Sequence, residues 1–124
     1  MNVKINTKEK FVVITLSEAQ FTANMTGNIE ELMLKQMHTN PPHVVLNMEQ
    51  VFGIDQMSAE KINTLQQHFY DNNFSFVVCS LQPEVEKMLD ENGLLEQMNI
   101  TETESEAWDI VQMEEIEREL SEED

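Results

Sequence analysis

Three histidines, one cysteine and twenty-four carboxylates are the side chains of this sequence best suited to ligate a metal, move a proton or attack an electrophile. Their spacing argues against all three. His38, His43 and His68 share no i, i+4 or short-loop separation with one another or with Cys79, so no metal site is expected. Paired acids such as Glu114 and Glu115 fit a solvated helix face better than a calcium loop. There is no G-x-S-x-G elbow and no carboxylate–histidine set, and three glycines are too few for a phosphate-cradling loop. The expected cofactor complement is none, and the chain reads as a non-enzyme.

What remains is Asp55. It follows the apolar run Val44-Val45-Leu46 and a turn through Gly53, and it precedes the helical spacing Ala59, Ile62, Leu65, Phe69. Asp55 is placed to cap that helix, accepting N–H groups that otherwise lack a partner. In a sheet with crossover helices, the loop leaving a strand's carboxyl end is where function usually sits. Val51, Phe52 and Met57 around Asp55 are expected to form an apolar docking patch, with burial under the helix as the rival reading. The helix face Glu60, Asn63, Gln67 extends the patch. Ser58 stands in the first helical turn, either as a phosphosite favoured by the dipole or as an ordinary N3 serine.

The elements that position this loop follow from periodicity. Val3 and Ile5 alternate on an edge strand, Thr7-Lys8-Glu9-Lys10 turns, and Phe11 to Leu16 forms a stronger strand. Ser17 to Ala23 reads as loop. A helix is expected from about Thr26 to His38, burying Ile29, Leu32, Met33 and Met37, with Asn28 and Glu31 resembling a capping box. Asn40-Pro41-Pro42 stops it. The run Val44-Val45-Leu46 suits an interior parallel strand covered on both faces. Phe74 to Cys79 is a second buried strand. Pro83 opens a helix that Asn92-Gly93 closes. Met98 to Ile100 reads as a short last strand, and Thr103 to Glu106 as the capping box of a final helix. That helix carries Ala107, Trp108, Ile110, Val111, Met113, Ile116 and Leu120, with Glu104, Glu114 and Glu115 facing water. The fold class is therefore α/β. A mixed sheet of about four to five strands with about four helices is expected, in the order β-β-α-β-α-β-α-(β)-α.

Residues 1–120 read as a single domain, and Ser121 to Asp124 as an acidic end expected to fray. The net charge of −17 is concentrated late, since residues 84–124 hold sixteen acids and two bases. Nucleic acid and anionic lipid are repelled by such a chain and are not expected as partners. No apolar run approaches a membrane span and Met1-Asn2-Val3-Lys4 starts no signal peptide. With a lone cysteine in an apolar run, the expectation is a cytoplasmic protein.

The run V-V-L-N-M-x-x-V-x-x-I-D, a helix, and then F-V-V-C-S-L-x-P-E-V-E-K-M-L-x-x-x-G-L resembles the STAS domain, shared by sulfate transporters and bacterial anti-sigma factor antagonists. The resemblance runs from Val3 to the last helix. It implies a sheet with helices mostly on one side, and for the antagonist type a non-catalytic protein that docks onto an anti-sigma factor that is also a serine kinase. The family's Asp-Ser-Ser/Thr-Gly-Leu motif falls on Asp55, Gln56, Met57, Ser58 and Ala59, so Gln56 stands at the phosphoacceptor position. The aromatic often found two residues before the Asp is Gly53 here, with Phe52 beside it. The early Gly-Glu-Leu-Asp pattern is replaced by Glu18-Ala19-Gln20-Phe21. The resemblance thus implies a partner-binding scaffold without the usual phosphoswitch. Two alternatives stand beside it: a STAS subunit bound to the ATPase of a lipid-transport ABC system, and a small-ligand carrier.

Overall fold

The computed structural model describes residues 1–122. In chain order its elements are β1 (Val3–Thr7), β2 (Val12–Leu16), β3 (Gln20–Phe21), α1 (Thr26–Met37), β4 (Val44–Asn47), β5 (Gly53–Ile54), α2 (Gln56–Asp71), β6 (Phe76–Cys79), α3 (Pro83–Glu91), β7 (Ile100–Thr101) and α4 (Glu104–Glu122). Five strands form one mixed sheet in the order β1-β2-β4-β6-β7, with β1 antiparallel to β2 and the other pairs parallel. This is the expected α/β architecture.

Alternation along the strands divides their apolar residues between two layers. Val12, Ile14, Leu16, Val44, Leu46, Phe76 and Val78 pack with the buried sides of α1, α2 and α3. Phe11, Val13, Val45, Val77 and Cys79 pack with Ala107 and Val111 of α4. Val44, Val45 and Leu46 are each fully buried, as an interior strand covered on both faces requires. Burial of each such side chain contributes about 1.5–3 kcal/mol relative to exposure. The sheet thereby fixes where β4 ends and the Asp55 segment begins.

Several boundaries differ from expectation. α1 itself starts at Thr26 as expected, after a 3₁₀ turn at Ala23–Met25, but Asn28 and Glu31 lie inside the helix, so no capping box starts it there. Thr26 Oγ1 donates to the Ala23 carbonyl at 2.8 Å and stabilises the earlier start. The segment expected as loop contains β3. The last strand begins at Ile100 because Met98 is drawn into the core. At the start of α4, Thr103 Oγ1 accepts from the Glu106 N–H at 3.2 Å, but the Glu106 carboxylate takes the Thr103 hydroxyl at 2.8 Å instead of its backbone N–H. The α3 C-terminus follows the Asn-Gly signal: Gly93 has φ +69° and Leu94 N donates to the Leu89 carbonyl at 2.9 Å.

The largest correction concerns α4. Met113, Ile116 and Leu120 are 49%, 56% and 58% exposed. Glu104 and Glu114 are engaged rather than solvated. Glu104 Oε1 accepts from Asn47 Nδ2 at 3.1 Å, and Glu114 Oε1 accepts from Tyr70 OH at 2.8 Å and Ser75 Oγ at 2.7 Å. Glu115 lies 3.9 Å from Lys10 Nζ. The sheet takes a narrow apolar stripe from α4; farther along, the polar groups before β6 claim the inward positions. The helix also continues through Ser121 and Glu122, within the segment expected to fray. Glu123 and Asp124 lie outside the described residues.

Candidate functional site

Asp55 joins two loops at the carboxyl ends of the parallel strands. Its Oδ1 accepts from Ser58 N at 2.8 Å, capping α2 as its position in the sequence predicts. Its Oδ2 accepts from Ala23 N at 2.7 Å, reaching the segment after β2. Hydrogen bonds from Ser58 and, more weakly, from Ala23 hold the carboxyl below the usual carboxylate range, so Asp55 is an anion at neutral pH. The same two segments pair as the parallel strands β3 and β5. Phe52 N and Gly53 N both donate to the Ala19 carbonyl, at 2.8 and 3.1 Å, and Asp55 N donates to the Phe21 carbonyl at 3.2 Å. Phe21 is fully buried and anchors this second strand pair to the core.

The side chain of the exposed Gln20 lies across Gly53, and a Cβ there would require that flexible amide to move aside. Phe52 carries the aromatic and is 53% exposed. Met57, in the first turn of α2, is 61% exposed. Gln56 is also exposed, and its Nε2 donates to Glu60 Oε1 at 3.1 Å.

The structure divides the sequence-predicted site residues. Phe52, Gln56 and Met57 stay exposed around the half-buried Asp55, and Glu60 and Gln67 are exposed farther along α2. Val51 does not: it is fully buried in the main core, which leaves Phe52 and Met57 as the exposed large apolar side chains of the segment. Asn63 is buried too, with Nδ2 donating to Gln97 Oε1 at 3.1 Å; it braces the segment after α3. Ser58 is fully buried beneath the first turn, so its hydroxyl is not presented at the surface. Ala23, whose N–H completes the Asp55 bridge, carries no side-chain signal. The clue in sequence was Phe21, the lone large apolar residue of the segment Ser17 to Ala23.

Both oxygens of the Asp55 carboxylate are taken by backbone N–H groups. Among the described residues no group of three or more His, Cys, Asp or Glu is placed to hold a metal ion. Burial pushes the Cys79 thiol up to about 11, which leaves it unreactive. Two surface clefts of ≈ 470 and ≈ 370 Å³ lie elsewhere, the first against Tyr70, Glu114 and Arg118, the second against Leu81, Leu95 and Ile100. No helix among the described residues is long and apolar enough to cross a membrane.

The family model for the STAS domain matches residues 2–107. No curated protein matches the chain by sequence. Solved structures share the fold. An anti-sigma factor antagonist from Mycobacterium paratuberculosis is 14% identical with a TM-score of 0.74, over 90% of this chain and 93% of that one. A serine-to-glutamate variant of RsbS from Moorella thermoacetica is 18% identical with a TM-score of 0.73, over 90% and 96%. The anti-sigma factor antagonist SpoIIAA in its unphosphorylated form is 18% identical with a TM-score of 0.69, again over 90% and 96%.

Proposed function

The chain belongs to the STAS domain family, and on that premise we propose that it is a single-domain, non-catalytic cytoplasmic module that binds a protein of the anti-sigma factor or regulatory serine kinase class. The observation that carries this reading is the Asp55 surface. Its backbone is cross-tied by β3–β5 and by both Asp55 oxygens, while Phe52, Gln56 and Met57 stay exposed. A rigid loop that presents an aromatic and a methionine loses little conformational entropy on docking. Gln56 occupies the family's phosphoacceptor position and cannot take a phosphate. The module is therefore a constitutive binder, controlled by its abundance or by its partner.

Photo-cross-linking tests this in the native cell. A photoreactive amino acid at position 52 or 57 of the intact chain is expected to capture a regulatory kinase or anti-sigma factor, and the same group at His38, exposed at the C-terminal end of α1, is not. Capture of a transporter ATPase from position 52 would move the function to the ABC-subunit alternative. Equal capture from His38 would remove the loop from the interface.

A further inference from the structure

The exposed large apolar side chains of the described residues fall in three places: Met1 and Ile5 near the chain start, Phe52 and Met57 beside Asp55, and Met113, Ile116 and Leu120 on α4. Single exposed apolar residues need no explanation, but an ordered group on a fixed element does. Spacings of three and four residues put Met113, Ile116 and Leu120 on one helix face. That face points away from the sheet, because Val111 packs on the inside and Glu114 and Arg118 bond to Ser75 Oγ at 2.7 and 3.0 Å. The seam is thus held outward and cannot turn in to bury itself.

The acids around it are placed by the same arithmetic. Read as a heptad, Met113, Ile116 and Leu120 take a, d and a positions, and Glu117 and Glu119 the e and g positions that set partner choice. Both glutamates are exposed, and Asp109, one turn before Met113, is exposed as well. Arg118, the single base of α4, is turned to Ser75. A second copy of α4 would set acidic edges against acidic edges on a chain of net charge −17.

We propose that this outer face of α4 is a second docking surface, and that its occupant is an amphipathic helix with Lys or Arg at its flanking positions. The apolar seam runs about 10 Å, two turns at ~1.5 Å per residue. The inference goes beyond the Asp55 reading and stands apart from it. Tyr70, which holds Glu114, lies about 22 Å along α2 from Asp55 at the same rise. Both surfaces are free to be occupied at once, which makes the module an adaptor.

Two synthetic peptides of about three heptads, with Leu at a and d and either Lys or Glu at e and g, test the proposal against the intact chain by calorimetry and methyl NMR. The Lys peptide is expected to bind, to shift the methyls of Met113, Ile116 and Leu120, and to leave Met57 unmoved; the Glu peptide is expected not to bind. Replacing Ile116→Ser together with Leu120→Ser removes apolar surface without changing charge, and should weaken the Lys peptide at least about tenfold. Glu117→Lys with Glu119→Lys should shift preference toward the Glu peptide, which keeps the proposal testable if the serine variant folds poorly. The idea is overturned by unchanged affinity of the folded serine variant, which would mean general charge attraction alone. It is equally overturned by shifts centred on Met57, by no reversal in the charge-swapped chain, or by self-association of the unmodified chain through this face.

Discussion

The two ends of the parallel strands satisfy their polar groups in opposite ways. Around Asp55 at the carboxyl end, backbone groups do most of the bonding: β3 pairs with β5, and one side chain, Asp55, takes the N–H groups of Ser58 and Ala23. At the amino end, side chains do it. Asn99 Nδ2 donates to Tyr70 OH, Tyr70 OH and Ser75 Oγ donate to Glu114, Arg118 donates to Ser75 Oγ, and His43 Nδ1 accepts from Ser75 N. A loop tied by its backbone leaves its side chains unspent, so Phe52, Gln56 and Met57 are available to a partner. An end tied by side chains has spent them on joining α4 to α2 and β6. The first region is a surface and the second a joint, and substitutions at each should report different things.

The largest effect is expected at the joint. Glu114→Ala strips the acceptor from Tyr70 OH and Ser75 Oγ together, at a half-buried site. The expected loss is about 2–3 kcal/mol, a fall of roughly 10 °C in melting temperature. Capture of a partner from position 52 should be unchanged in the protein that remains folded, because the two regions lie at opposite ends of α2. If Glu114→Ala melts like the parent, α4 is held by its apolar stripe alone and the joint is decoration.

Asp55→Ala comes next. It removes an N-cap and the bridge to Ala23, with an expected loss of about 1–2 kcal/mol. Hydrogen exchange should accelerate at the amides of Ser58 and Ala23 together, since one carboxylate holds both. Acceleration at Ser58 alone would show that the two loops are joined by β3–β5 and not by Asp55.

How much of this was legible before the structure depends on where the bonds are made. Val44-Val45-Leu46, Pro83, Asn92-Gly93 and the Asp55 cap are local signals, and each lies where its chemistry predicts. The buried position of Val51 and the bridge to Ala23 depend on β3, a strand of two residues paired across thirty-three positions of sequence. No local periodicity encodes such a pairing. The same holds for α4. Met113, Ile116 and Leu120 have helical apolar spacing and stay exposed, because Glu114 and Arg118 turn to partners on Ser75, some forty residues away. Apolar spacing identifies a face but does not say which face the sheet takes.

Gln56→Glu separates binding from stability. The new charge falls in the first turn of α2, where the helix dipole favours it, against mild repulsion from Glu60. Stability should change by no more than about 0.5 kcal/mol. Binding to the captured partner should weaken by about tenfold, roughly 1.4 kcal/mol, because a carboxylate beside Asp55 must be desolvated in the interface. A folded variant with parental affinity would place the interface elsewhere.

The smallest effect divides the two ends by pH. His43 Nδ1 accepts a hydrogen bond from Ser75 N at 3.0 Å, so the fold needs that nitrogen unprotonated. Burial lowers its pKa, the Arg118 charge lowers it further, and Glu115 and Glu114 pull the other way. With the unfolded value near 6.5, the unfolded chain takes up a proton in mild acid before the folded chain does. The contribution of His43 is then fully present above about pH 6.5 and is lost as pH falls from there through the folded pKa. Asp55 loses its contribution only at lower pH, below the ordinary carboxylate range of about 3.9. Acidification should therefore loosen the joint before the loop. His43→Asn keeps an acceptor near the same place but does not titrate. The parent's melting temperature should fall relative to this variant's between about pH 8 and pH 5, while exchange at the Ser58 and Ala23 amides, corrected for the intrinsic pH dependence, stays constant. A difference in melting temperature that is flat over that range would show that the Ser75 N–H does not depend on His43, and the amino end would then be held by Glu114 without it.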